Sequence, residues 1–100
     1  MRYALQLAMI KSFKHKGLRA FFEKGDFSGI QPHHRKKLRL QLSALNDATE
    51  IEDVDLPGYN LHLLKGQRKN CWSIEVNGNW RVTFEFIDGD AYIINYEDYH

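Results

Sequence analysis

The chain ends in the run Asp98-Tyr99-His100, which places three groups that hold charge or move protons side by side. Histidine titrates near neutral pH and acts as a base or an acid, and the fork of an arginine such as Arg81 fits phosphate oxygens. RNA can be cut without a metal when a base activates the 2′-hydroxyl, cations stabilise the phosphorane and an acid protonates the departing 5′-oxygen. The three terminal residues and Arg81 therefore form a candidate catalytic cluster.

A second group of polar residues lies in "LHLLKGQRKN". His62 and Lys65 are three residues apart and supply another imidazole and a point charge for phosphate. Arg68 and Lys69 follow at once and add two candidate RNA-binding cations. His62 has a plainer interpretation as a hydrogen-bonded structural histidine.

The other members of the cluster also have structural alternatives. Arg81 could pair with Glu75 across neighbouring strands. Tyr99 could be an interface aromatic, and Asp98 a turn acid. The five histidines and one cysteine form no HxxxH or CxxC spacing, and there is no glycine-rich phosphate loop or nucleophile elbow. The sequence therefore predicts no metal and no cofactor.

Charge is segregated along the chain although the net charge is only +1. Residues 1–46 hold ten Lys and Arg against two Asp and Glu (+8), and residues 47–100 hold four against eleven (−7). A polyanion such as RNA would bind the basic half. The alternative is a solvated charged helix face. The candidate cations are Arg35, Lys36, Lys37 and Arg39.

Composition indicates one soluble globular domain. The 100 residues suffice for a single core, and 43% hydrophobic with 27% charged residues is ordinary for such a domain. Cys71 is the only cysteine, which fits a reducing, cytoplasmic compartment. The apolar runs are much shorter than the roughly 20 residues that span a bilayer. Met9 is a second candidate start, so we expect a domain over 9–100 and an extension or leader over 1–8.

The hydrophobic pattern predicts an α+β fold. "MIKSF" is a plausible first strand, and "GLRAFFEKG" is a helix that Gly25 closes. Leu38, Leu42 and Leu45 form the apolar stripe of a second helix. After Glu50, four stretches alternate with period two, which is typical of strands. We expect two N-terminal helices on a small antiparallel sheet of four or five strands, mixed at one edge.

The first long hairpin has a register that the apolar residues decide. A two-residue Asn77-Gly78 loop would mix apolar and polar faces. A three-residue "NGN" loop pairs Val76 with Trp80, Ile74 with Val82 and Trp72 with Phe84. The apolar residues of both strands then lie on the same face of the sheet. Asn79 would take the left-handed backbone conformation. This register places Glu75 opposite Arg81.

The next turn, "IDGDA", leaves two registers open. A two-residue loop sets Arg81 opposite Tyr96, and a three-residue loop sets it opposite Glu97. In both registers the last strand runs back beside Arg81. The C-terminal run is therefore expected to be an ordered part of a paired strand.

Several segments together resemble HigB toxins of the RelE superfamily. These are "MIKSFKHKGL…FFEKG" at 9–25, "LHLLKG" at 61–66, "WSIEVNGNWRVTF" at 72–84 and "INYEDYH" at 94–100. The resemblance covers residues 9–100, and the combination of motifs is more specific than any one of them. It supports Met9 as the start and implies a RelE-like fold without a metal.

The resemblance implies a bacterial type II toxin that enters the ribosomal A site and cuts translated mRNA. Its partners would be the ribosome, mRNA and a HigA-like helix-turn-helix antitoxin, in a toxin2–antitoxin2 heterotetramer, with no membrane. By position, the implied active-site residues are His62, Lys65, Arg81, Asp98, Tyr99 and His100.

Glu75 departs from the family pattern, because many relatives have a basic residue in the "WSIxVN" stretch. Its carboxylate would compete with phosphate for Arg81 and weaken catalysis. The alternative function is therefore a weakly active or noncatalytic RelE-like module that binds RNA or protein. Growth arrest that depends on His100 would favour the enzyme.

Overall fold

The computed structural model describes residues 10–66 and 70–99. Its first helix, α1, spans Lys16–Lys24. The His15 imidazole caps the start of α1 by accepting a hydrogen bond from the Leu18 backbone N–H at 2.9 Å. Gly25 ends α1 in the left-handed conformation, with φ 75°. The predicted helix and its closing glycine are thus confirmed.

The second helix, α2, spans Arg35–Asp47 and follows a short 3₁₀ turn at Pro32–His34. Leu38, Leu42 and Leu45 are buried, which confirms the predicted stripe. A further 3₁₀ turn at Ile51–Val54 leads towards the sheet. None of the helices in the described part of the chain has the length and apolar character needed to cross a membrane.

Four antiparallel strands form one sheet in the order β1-β2-β3-β4. Their bounds are His62–Leu63 (β1), Cys71–Asn77 (β2), Trp80–Ile87 (β3) and Asp90–Asp98 (β4). The predicted first strand is reduced to two parallel bridges that join Ile10 and Phe13 to the outer edge of β4. The predicted α+β architecture, mixed at one edge, is confirmed.

The β2–β3 hairpin confirms most of the predicted register. Trp72 pairs with Phe84, Ile74 with Val82, and Glu75 with Arg81. The predicted Val76–Trp80 pair is wrong, because a bulge makes Val76 an extra residue and Asn77 pairs with Trp80. The left-handed residue of the turn is Gly78, with φ 59°, rather than Asn79.

The β3–β4 hairpin combines features of both expected registers. Its turn is the two-residue loop, since Ile87 pairs with Asp90, but Arg81 pairs with Glu97. A bulge reconciles the two, because β4 contributes two residues, Ile93 and Ile94, opposite the single Phe84. Ile93 has φ 55°, which is strained for a β-branched residue.

The segment before α1 holds this bulge. Ser12 accepts a hydrogen bond from the Ile93 N–H at its Oγ (2.8 Å) and another from the Ile94 N–H at its carbonyl (3.1 Å). The Ile94 carbonyl in turn accepts a bond from the Lys14 N–H at 2.8 Å. The left-handed residue therefore has its backbone donor satisfied by a side chain far away in sequence.

The core lies between the two helices and one face of the sheet. Leu18 and Phe21 of α1 and the stripe of α2 are buried with Ile74, Val82 and Phe84 of the strands. Burial of these apolar side chains is the main stabilising contribution to the fold. Side chains that alternate with the buried set point to the other face of the sheet.

His34 is a polar residue inside this core. The residue is 1% exposed, and its Nδ1 lies 2.6 Å from the Tyr96 hydroxyl oxygen. The same oxygen accepts a hydrogen bond from the Gln31 N–H. The other ring nitrogen, Nε2, is buried without a hydrogen-bond partner in the described residues. Burial, and then the neighbouring His33, lower the His34 pKa from its ordinary value of 6.5.

We expect acid to destabilise the protein through this ring. Burial also lowers the pKa of His15, partly opposed by its own backbone hydrogen bond. Because the native state then binds fewer protons than the unfolded state, stability is full above about pH 6.5 and is lost as pH falls through the folded-state pKa values. Thermal melts between pH 7.5 and 5 at fixed ionic strength should show a falling Tm. H34Q should reduce the slope, and an undiminished slope would contradict the assignment to His34.

Candidate functional site

Arg81 lies near the start of β3, on the face of the sheet that points away from the helices. Antiparallel pairing sets it between Glu75 of β2 and Glu97 of β4. Its neighbours in sequence, Trp80 and Val82, point to the core side. Strand alternation thus separates the charged row from the core.

The Arg81 guanidinium contacts Glu97 along one edge and Tyr99 on one face. Its Nε and Nη2 groups donate to the same Glu97 carboxylate oxygen, at 2.9 and 2.7 Å. The Tyr99 ring covers the guanidinium face, with its centroid 4.1 Å from Cζ. The Arg81 and Glu97 side chains are 13% and 25% exposed. The arginine is therefore preorganised before any ligand binds.

Tyr99 follows β4 and is positioned by its backbone. Its N–H donates to the Asn79 carbonyl in the β2–β3 turn, at 2.7 Å. The residue is 57% exposed. The expectation that the end of the chain remains bonded beside Arg81 is confirmed as far as Tyr99.

His62 enters the same site from β1, where it pairs with Ser73. Its Nδ1 lies 2.8 Å from the Asn60 carbonyl oxygen, which can only accept, so Nδ1 carries the proton. In the neutral ring, Nε2 then has a lone pair that can take a proton from a substrate hydroxyl. Asn60 has φ 49°, so the carbonyl that fixes this tautomer belongs to a left-handed residue.

These side chains line one open cavity of about 210 Å³. The ionisable side chains that line it belong to β1, β2, β3 and Tyr99, which follows β4. Residues of the β2–β3 turn also line it. An imidazole, a guanidinium and a phenol around one cavity suit a phosphodiester. The residues that line the cavity include His62, Ser73, Glu75, Asn79, Arg81 and Tyr99.

The structure does not bring every predicted residue into this cavity. Asp98 pairs with Trp80, so its side chain lies on the same face of the sheet as the core rather than on the face of Arg81. The pKa of Tyr96 is raised mainly by burial; the hydrogen bond from the Gln31 N–H opposes this shift, and the nearby charge of Asp98 adds to it. Lys65 is exposed beyond the end of β1 and does not line the cavity. His100, Arg68 and Lys69 lie outside the described residues.

The predicted RNA-binding cations lie on α2, across the core from Arg81. Arg35, Lys36 and Arg39 are exposed and Lys37 is half-buried. The Arg35 guanidinium stacks 4.3 Å from the Phe27 ring centroid. These cations therefore form a surface separate from the cavity, at the helical side of the molecule.

Glu97 is the main site residue that the sequence interpretation did not assign. The only indication of this residue in the sequence was that one of the two expected β3–β4 registers set it opposite Arg81. The expected ion-pair partner was Glu75, which is exposed and lines the cavity, whereas the Arg81 ion pair is made to Glu97. Among residues 10–66 and 70–99, no three His, Cys, Asp or Glu side chains cluster closely enough to hold a metal ion.

Comparison with known proteins identifies the family. A family model described as the RelE-like toxin HigB of type II toxin–antitoxin systems matches residues 11–100. The endoribonuclease HigB of Proteus vulgaris is 55% identical over 92 residues, which cover 92% of this chain and the whole of that relative. The chain therefore belongs to the HigB-like family of RelE-like toxins from type II toxin–antitoxin systems.

Proposed function

We propose that this protein is an endoribonuclease that cuts translated mRNA in the ribosomal A site and so inhibits translation. The observation that carries the proposal is the Arg81 guanidinium, fixed by Glu97 and Tyr99 in a cavity that His62 also lines. The name of the relative from Proteus vulgaris, an endoribonuclease, supports the same activity. Membership in a toxin–antitoxin family implies an antitoxin partner.

In the proposed reaction, the 2′-oxygen attacks the adjacent phosphorus and the bond from phosphorus to the 5′-oxygen breaks. His62 Nε2 takes the 2′-hydroxyl proton, and Arg81 stabilises the negative charge on the phosphorane with its free guanidinium N–H groups. His100 is the candidate acid that protonates the departing 5′-oxygen. The products are a 2′,3′-cyclic phosphate and a 5′-hydroxyl.

Lys65 and Asp98 remain proposed site residues with weaker structural support. Lys65 is three residues from His62 and is exposed, so its ammonium is available to an RNA phosphate. Asp98 would act from the opposite side of β4, next to Tyr96. We further propose a HigA-like helix-turn-helix antitoxin in a 2:2 complex and a cytoplasmic location, as the family resemblance implies.

The test is single-turnover cleavage of a labelled mRNA on programmed ribosomes, with analysis of both new ends. A cyclic phosphate and a 5′-hydroxyl are expected, and free mRNA without ribosomes should stay intact. A 5′-phosphate end would contradict attack by the 2′-oxygen. Ribosome binding without any cut would instead support the noncatalytic binding module.

The basic surface of α2 should bind rRNA in a salt-dependent manner. Replacing Arg35, Lys36 and Arg39 with Gln should flatten the plot of log K against log salt by about two to three units, at roughly 0.7–0.9 per lost phosphate contact. Ribosome affinity measured at several salt concentrations checks this. The matched control removes the same charge at Lys11, Lys14 and Lys16; an equal flattening there would mean that α2 has no special role.

Glu75 should moderate cleavage through its charge rather than through an ion pair with Arg81. Its exposed carboxylate lines the cavity and adds negative potential where the phosphate would bind. We expect E75Q to raise the single-turnover rate while changing the free energy of unfolding by less than about 1 kcal/mol. A rate that is unchanged or lower would contradict an inhibitory role of Glu75.

A further inference from the structure

Glu97 connects Arg81 to a second side chain on β4. One carboxylate oxygen accepts both Arg81 hydrogen bonds, and the other accepts a hydrogen bond from the Asn95 amide at 3.2 Å. Asn95 points to the same face of the strand, two residues away. The carboxylate is therefore fixed at both of its oxygens.

This arrangement decides which part of the guanidinium is available. The Nε hydrogen and one Nη2 hydrogen are directed at Glu97, and Tyr99 covers one face. Within residues 10–66 and 70–99, the two Nη1 hydrogens and the second Nη2 hydrogen have no hydrogen-bond partner and are available to a ligand. Two parallel N–H groups suit a bidentate contact to phosphate oxygens.

We propose that Glu97 is a positioning residue for RNA cleavage, which acts by orienting the Arg81 guanidinium towards the phosphate. The inference rests on the proposed endoribonuclease function. In the competing role, Glu97 inhibits cleavage, because its carboxylate takes hydrogen bonds from Arg81 that a phosphate could accept and lowers the positive potential of the cavity. The two roles predict opposite effects on rate.

Single-turnover cleavage at saturating enzyme separates these roles. E97A should lower the rate about 10- to 100-fold, because misplacement of a catalytic group by about 1 Å has effects of this size. The enzyme concentration at half-saturation should not rise, since a negative charge is removed. E97Q should keep most of the rate, because its amide oxygen still accepts from Arg81. A rate that rises in both variants would overturn the proposal.

The matched control is E85A. Glu85 is a half-buried carboxylate on the same face of β3, about 13 Å along the strand from Arg81, so the variant has the same change in net charge. E85A should cut at the wild-type rate. A wild-type protein that cuts no mRNA would overturn the proposed function, whereas equal rates for wild type and E97A would overturn only the role of Glu97.

Two further measurements identify Arg81 as the group through which Glu97 acts. E97A should cause no additional loss in an R81A background, whereas additive losses would indicate a general structural role. The Arg81 Nε–H should exchange slowly with solvent in NMR spectra of the wild type and E97Q, and rapidly in E97A. A rapidly exchanging Nε–H in the wild type would contradict the ion pair itself.

Discussion

R81A should lower mRNA cleavage about 100- to 1000-fold, the range found when one preorganised donor to a developing oxyanion is removed. R81K should recover little of the loss. A lysine has one ammonium on a flexible chain, so it cannot bind Glu97 along one edge and offer a planar fork to phosphate. Single-turnover rates on programmed ribosomes measure the effect.

The matched control for Arg81 is R19A. Arg19 pairs with Glu23 at 3.2 Å on the exposed surface of α1, where the two side chains are 63% and 46% exposed. Such a pair contributes about 0.3–0.5 kcal/mol to stability, so R19A should fold and cut normally. If R81A retains more than about a tenth of the wild-type rate, its guanidinium does not supply the main stabilisation of the phosphorane.

F84A should destabilise the protein by about 3–5 kcal/mol, the usual result of truncating a buried phenylalanine. Phe84 is 1% exposed and belongs to the core between sheet and helices. Since domains of this size have about 5–15 kcal/mol of stability, the loss would be a large part of the total. Urea unfolding monitored by tryptophan fluorescence gives the difference.

F27A is the comparison for Phe84. Phe27 is 40% exposed and stacks with the Arg35 guanidinium at the surface. Its removal should cost less than about 1 kcal/mol. Equal losses in F84A and F27A would mean that the β3 side chain is not central to the core.

The helices and one hairpin were predictable because local patterns determine them. Leu38, Leu42 and Leu45 repeat at helical spacing, and burial follows from that spacing. The apolar pairs Ile74–Val82 and Trp72–Phe84 determine the register that placed Glu75 opposite Arg81 correctly. The bulge at Val76, which shifts the last pair of the hairpin, was not predicted.

The bulge at Ile93 and the ion-pair partner of Arg81 were not predictable from such patterns. Neither apolar alternation nor the turn residues indicate that Ile93 adopts a left-handed conformation. Its backbone N–H donates a hydrogen bond to the Ser12 hydroxyl oxygen, which lies 81 residues earlier in the chain. Both registers of the last hairpin consequently remained open, and Glu97 could not be assigned as the ion-pair partner.

His34 illustrates a second limit of the sequence. His33 and His34 are adjacent in the sequence, yet His33 is exposed and His34 is buried. His34 is buried because its ring meets Tyr96 and Trp80, which belong to strands far along the chain. The propensity of a residue for the surface gives no information about such long-range contacts.

The bulge at Ile93 has a consequence for evolution and for engineering. Without its extra residue, the two-residue turn would set Tyr96 opposite Arg81, and the carboxylate would move to the other face of the sheet. Ser12 stabilises that extra residue although it does not line the cavity. Selection for activity would therefore constrain Ser12 and the length of β4 as strictly as the cavity residues. Grafting this candidate site onto another scaffold would require the irregular strand to be transferred with it.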